Sequence, residues 1–180
     1  EDPIWSGYAF YGWYVDESYT ELYLFDVMPD ADLTLYACWI PITPEIEFGL
    51  KLELQPEGTY EIIDFNDAFA DVVIPSSYMS IPITSIGSLA FAFATHLTNL
   101  VIPDSITYIA ERSFFSSNSL VEITIPFVGA GRDATGEAAL FGYLFGKTNI
   151  YIEMTLTRQY LGENTYVEYY IPDSLRKITL

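Results

Sequence analysis

The residues whose spacing points most sharply to chemistry are Gly129-Ala130-Gly131-Arg132-Asp133-Ala134. A G-x-G-x-x-A run lets the backbone amides of a strand-to-helix turn approach a dinucleotide's pyrophosphate. Here the run follows Pro126-Phe127, and no strand–helix–strand pattern surrounds it. The overlapping spacing from Gly131 to Gly136 imitates a phosphate loop, but Glu137 stands where a lysine must neutralise phosphate. A flexible turn ahead of a short apolar helix, Glu137 to Phe145, is the expectation, with no bound cofactor.

Acid–base and metal chemistry have as little to work with. His96 is the single histidine and Cys38 the single cysteine. Nucleophilic catalysis with histidine as base needs a partner motif, and none surrounds His96, which reads as a surface residue. A zinc site built from His and Cys lacks its ligands. Asp64, Asp67 and Asp71, and Asp26 with Asp30 and Asp32, could hold a hard cation through oxygen, but neither set has EF-hand spacing. Solvated acidic loops without metal are expected. A glycosidase needs two carboxylates facing across a cleft. With 25 acidic residues some pair is always near, so proximity carries no weight.

Charge removes further classes. The formal net charge is −18. Nucleic-acid binding needs a basic footprint, and anionic membrane surfaces repel acid, so neither is an expected partner. The acid is uneven: residues 1–71 hold 16 acids and one base, Lys51, whereas residues 72–180 hold nine acids and six bases. That split suggests two modules. No apolar run reaches the roughly 18 residues of a membrane span, so no membrane insertion is expected of this stretch. The start at Glu1-Asp2-Pro3 is one expected of a fragment.

The elements that would position any site are repeats. Ile-Pro recurs in register at 74–75, 102–103, 125–126 and 171–172, and a further copy at 81–82 lies off this register. Ile86 and Ile109, Phe91 and Phe114, Leu97 and Leu120, Leu100 and Ile123, and Ile102 and Ile125 are each 23 residues apart. That period lies within the roughly 20–29 residues of a leucine-rich repeat. Within one unit, Leu97, Leu100 and Ile102 face a core while Asn99 and Val101 point the other way from a short strand. Pro103 ends the strand because it has no N–H to donate. Ala90-Phe91 and Ser113-Phe114 plug the core from the opposite wall.

Stacked repeats align equivalent exposed positions. Three residues before the Ile of the four in-register Ile-Pro pairs stand Asp71, Asn99, Glu122 and Glu168; one residue before stand Val73, Val101, Thr124 and Tyr170. An acidic ladder beside a mixed apolar ladder is the candidate binding face. The competing reading is that these residues only keep an exposed sheet soluble.

Around the repeats, Leu50–Leu54 and Tyr60–Ile63 flank Pro56-Glu57-Gly58 as a hairpin that caps the array, in a region spanning residues 49–74. Residues 127–170 break the period as an insertion, containing the helix and then an alternating run with Ile150, Ile152, Met154 and Leu156 on one side. Residues 1–40 form a separate small β-rich segment of two strands and an acidic loop, and 41–48 read as a linker to a domain spanning 49–180.

Two resemblances follow from these residues. Gly7-Tyr-Ala-Phe-Tyr-Gly-Trp-Tyr14 and Met28-Pro-Asp-Ala-Asp-Leu-Thr-Leu-Tyr-Ala-Cys-Trp39 resemble the C-terminal half of a Listeria–Bacteroides repeat of the internalin B-repeat type, with Cys38 in place of the usual lysine. Val72-Val-Ile-Pro75, Ile83-Thr-Ser-Ile-Gly87, Ala90-Phe91, Leu97-Thr-Asn-Leu-Val-Ile-Pro-Asp-Ser-Ile106 and Ile171-Pro-Asp-Ser-Leu175 resemble a BspA-like leucine-rich-repeat region. Ala94 and Ser117 stand where that family often has cysteine. The resemblance implies a mixed, β-rich fold: a right-handed leucine-rich-repeat solenoid with a short sheet, an N-terminal β cap and a helix-plus-hairpin insertion. It also implies export to the bacterial surface and a non-enzymatic adhesion module for an extracellular protein or glycan of a host or another bacterium. The alternative is a structural stalk or spacer with no ligand of its own. A hydrolase using clustered carboxylates is the third reading.

Overall fold

The computed structural model describes residues 3–5, 7–25, 32–148 and 153–180. The chain divides into two compact units, Glu1–Thr43 and Pro44–Leu180.

In the first unit β1 (Tyr8–Tyr14) and β2 (Tyr36–Pro41) pair antiparallel, from Tyr8 opposite Pro41 to Tyr14 opposite Tyr36. Aromatic contacts supply the apolar cohesion. Trp5 stacks on Tyr8 at 4.2 Å, and Trp39 meets Trp5 and Phe10 edge-on at 5.5 and 5.4 Å. Asp16 ends β1's exit by accepting hydrogen bonds from the N–H groups of Ser18, Thr20 and Glu21, as aspartate does in turns. Of the expected linker, Pro41 closes β2, and Pro44–Phe48 form a one-turn helix, α1. Proline at the first helical position and Glu45 and Glu47 in the first turn suit a helix start.

The second unit winds as coils. β3 (Leu50–Leu54) and β4 (Tyr60–Phe65) make the antiparallel hairpin expected as a cap. The chain then turns a corner at Phe65 into β5 (Asp71–Val73), returns through β6 (Ser77–Tyr78), and enters β7 (Ile81–Ile86). A second corner at Phe91 leads to β8 (Asn99–Val101), followed by β9 (Tyr108–Ile109), a corner at Phe114, and β10 (Glu122–Thr124). Two sheets result. β4, β7 and β9 pair in parallel on one wall, with Ile62, Ile86 and Ile109 in register. β5, β8 and β10 pair in parallel on the other, with Val72, Leu100 and Ile123 in register.

Backbone hydrogen bonding repeats with the coils. The N–H groups of Thr98 and Asn99 share the carbonyl of Ala70, and those of Val121 and Glu122 share the carbonyl of Thr98. The corners repeat as well: Leu89 and Arg112, and Phe93 and Ser116, are non-glycine residues at φ of 63°, 62°, 61° and 57°. Such left-handed backbone is costly for L-residues and persists only where packing over-determines it. Between the walls Phe65, Phe91, Phe114 and Phe145 form a continuous ring stack, with centroids 5.1, 5.4 and 5.9 Å apart.

The last coil carries the insertion. Phe114 precedes Leu120 by six residues, but Phe145 precedes Leu175 by thirty. The extra chain holds β11 (Met154–Tyr160) and β12 (Tyr166–Pro172), an antiparallel hairpin, and the coil then closes with β13 (Lys177–Thr179) beside β10. Met154 is buried but Leu156 is exposed, so the expected apolar face of this run is wet at Leu156; Ile150 and Ile152 lie outside the described residues. The helix expected from Glu137 to Phe145 is instead two 3-10 turns, Gly136–Ala139 and Phe141–Leu144. Leu140, extended at φ −91° and ψ 143°, separates them. Glycines at 136 and 142 weaken a continuous helix, and Gly142 is claimed by packing, because a Cβ there would fall inside the Tyr169 ring. Tyr169 is fully buried; burial first, then Glu137, Glu111 and Tyr143, push its phenol up to about 12, so it stays protonated and donates to the Glu137 carbonyl at 3.4 Å.

Two stability predictions follow from this packing. Phe91→Ala opens the middle of the ring stack and should cost about 3–5 kcal/mol in urea unfolding. Gly142→Ala should cost about 1–3 kcal/mol by overpacking against Tyr169, and hydrogen exchange should show the loss concentrated in β12.

Candidate functional site

The wall formed by β5, β8, β10 and β13 carries six of the eight residues expected on the binding face. Alternation along each three-residue strand buries Val72, Leu100 and Ile123 and turns their neighbours outward. Asp71, Asn99 and Glu122 stand side by side in one row, and Val73, Val101 and Thr124 in the next. Adjacent strands set neighbours in a row about 4.8 Å apart. Val73 is 65% and Val101 38% exposed, so the second row opens with an apolar pair.

Glu168 and Tyr170 do not join them. Both lie in β12, where Glu168 pairs with Arg158 at 3.0 Å and Tyr170 faces Leu156. Ile171-Pro172 closes the hairpin rather than a coil strand. The coil strand comes next, from Leu175 and Ile178, which repeat the three-residue spacing of Leu97 to Leu100 and Leu120 to Ile123. The fourth members of the rows are therefore Lys177 and Thr179. The expected acidic ladder is a mixed row with internal partners: Asn99 donates to Asp71, and Lys177 pairs with Glu122 at 3.1 Å. A pair this exposed contributes about 0–1 kcal/mol.

His96 has a partner that spacing did not reveal. Its Nδ1 lies 3.1 Å from the Asp67 carboxylate. That carboxylate also accepts from the N–H groups of Thr95, His96 and Leu97 and from the Thr95 hydroxyl. Asp67 thus fastens the loop before β8 to the preceding coil, and the pair is structural before it is chemical. Among the described residues no group of three His, Cys, Asp or Glu is placed to hold a metal ion. Asp26 and Asp30 lie outside the described residues.

The glycine-rich run explains itself by packing. Gly129 is at φ +77°, and a Cβ there would strike the Ala138 carbonyl. The Ala130 N–H donates to that carbonyl at 2.7 Å, and the Ala134 N–H donates to the Gly131 carbonyl at 3.2 Å. These amides close the loop on itself instead of facing a phosphate. The loop also borders a depression beside Tyr108 and Tyr143 that pattern reading did not find. Its walls meet only after the 3-10 turns fold back on β9.

The family-model match agrees with the repeat geometry. A family model described as the BspA type leucine rich repeat region, in six copies, matches residues 62–179. A second, the Listeria-Bacteroides repeat domain, matches residues 1–38. No curated protein matches. Among solved structures the chain is similar to the T. pallidum leucine rich repeat protein, at 21% identity and a TM-score of 0.36, over 42% of this chain and 40% of that one.

Asp67 gives a pH prediction. Burial alone would raise its pKa, but the hydrogen bonds from Thr95 and His96 outweigh it and lower the value. A carboxylate depressed in the folded state stabilises above its unfolded pKa of about 3.9 and loses that contribution as pH falls through the folded value. Asp67→Asn should therefore cost about 1–3 kcal/mol near neutral pH, and urea titrations should show the difference from the parent shrinking at acid pH.

Proposed function

Because the chain belongs to the BspA-type leucine-rich-repeat family, we propose that its repeat unit is a non-enzymatic recognition module displayed on a bacterial cell surface. In this reading the unit is a right-handed solenoid capped by the β3–β4 hairpin, and it binds an extracellular protein or glycan through Asp71, Val73, Asn99, Val101, Glu122 and Thr124. The parallel pairing of each wall supports the handedness, since parallel crossovers are right-handed in about 98% of cases. The registered rows carry the functional reading: three coils present equivalent outward side chains side by side, the arrangement with which repeat arrays build extended binding surfaces.

One observation favours the spacer reading. The polar row pairs with itself, Asn99 with Asp71 and Lys177 with Glu122, which leaves fewer free groups for a ligand. The apolar pair Val73 and Val101 has no such satisfaction, so it is where the two readings part.

The test is surface plasmon resonance of the whole chain against immobilised extracellular-matrix proteins and glycans. Val73→Asp combined with Val101→Asp should weaken any specific binding about tenfold or more, equivalent to about 1.4 kcal/mol. Glu168→Lys, off the face, should leave it unchanged. Binding indifferent to the double substitution removes the strand face from the argument, and no binding at all favours the spacer.

A further inference from the structure

The opposite wall, formed by β4, β7 and β9, carries two adjoining depressions that share Thr107 and Tyr108. One, of about 500 Å³, is floored by methyl groups of Ala130, Ala134 and Ala138 and walled by the rings of Tyr108 and Tyr143. The other, of about 590 Å³, presents Gln55, Glu61, Thr84 and Ser85. Each volume is that of a small-ligand site, about 300–1,000 Å³. Tyr108 stands at the junction, 47% exposed, in register with Ser85 on the neighbouring strand.

The two halves differ in what they can bind. In the polar half the Gln55 amide donates to Glu61 at 3.3 Å, which aligns an amide and a carboxylate on one edge beside two hydroxyl side chains. That set suits a ligand rich in hydroxyls, which both donate and accept. In the apolar half the alanine floor has no hydrogen bond to offer. Burial, then Tyr108 and Glu111, raise the Tyr143 pKa, and its phenol is hydrogen-bonded to the Tyr108 side chain and the Glu111 backbone, which fixes the two rings against each other. The rim disfavours an anion: Arg132 is already paired with Asp104 at 2.9 Å, and the Asp133 carboxylate beside it is exposed.

We propose that these depressions form one saccharide-binding groove, with Tyr108 stacking on a sugar ring at the junction and the alanine-floored half taking the acetamido group of an N-acetylated hexose. A sugar has an apolar face for the tyrosine ring, as amphipathic aromatics favour, hydroxyls for Gln55, Glu61 and Ser85, and no charge. The acetamido methyl fills the alanine floor while its amide N–H donates to the Asp133 carboxylate. The groove lies on the other wall from Asp71 and Val73, so it does not rest on the strand-face reading.

The experiment is a titration of the whole chain with chitotriose, following the methyl NMR signals of Ala130, Ala134 and Ala138. Cellotriose, with the same linkage and no acetamido groups, is the comparison. Saturable shifts at these methyls with chitotriose, and binding of cellotriose about tenfold weaker or less, are expected. Tyr108→Ala should weaken chitotriose about tenfold. Ala134→Leu should erase the preference for chitotriose while the far-ultraviolet circular dichroism stays that of the parent. Three results overturn the groove: no saturable shift with millimolar chitotriose, binding unaffected by both substitutions, or saturation by N-acetyl-tryptophan amide, a peptide side-chain mimic, while chitotriose is silent.

Discussion

The ring stack of Phe65, Phe91, Phe114 and Phe145 is the constraint to which the rest of the repeat unit conforms. A coil of about two dozen residues is too thin to bury an apolar face alone, so each must close against its neighbours. The rings fill the width between the two walls, and centroid spacings of 5.1 to 5.9 Å sit close to the roughly 4.8 Å between paired strands. One stack of rings and two stacks of strands therefore advance together. The last coil shows how firm this is. Its chain detours through a closed loop and two 3-10 turns before delivering Phe145 to the stack, and through a hairpin before delivering Leu175 and β13 to the wall. Insertion is tolerated where the chain can return to these positions.

Legibility from the sequence follows the same division. Period and alternation located Phe91, Phe114, Leu100 and Ile123 because their spacing is the fold's own repeat. Asp71, Asn99 and Glu122 came with them. Ile171-Pro172 misled, because a strand ending in Ile-Pro also suits a hairpin; the Leu175 to Ile178 spacing was the better signal for the last coil. The supposed helix of residues 137–145 failed on Gly142, whose reason is the Tyr169 ring 27 positions on. Asp67 with His96, and Tyr108 with Tyr143, join residues about one coil or more apart with no repeated partner, so periodicity says nothing of them.

The two walls consequently present different chemistry. One offers a strand face whose polar row is satisfied internally and whose apolar row opens at Val73 and Val101. The other is made concave by the insertion: without the fold of residues 130–143 against β9, Tyr108 would stand on an open sheet. The chain that interrupts the repeat thus supplies the alanine-lined half of the groove, while the hairpin and β7 supply the polar half.

Pairing in parallel across the coils has a mechanical side. In the wall ordered β5, β8, β10, β13, the ladder hydrogen bonds lie along the line joining the first coil to the last. Tension between the ends of this unit pulls on those bonds lengthwise, a few at a time, rather than shearing whole strands past one another. Yielding proceeds coil by coil from an end, and a released coil of 23 residues adds about 80 Å of contour length. Under load, such a strand order would release length in steps of about one coil.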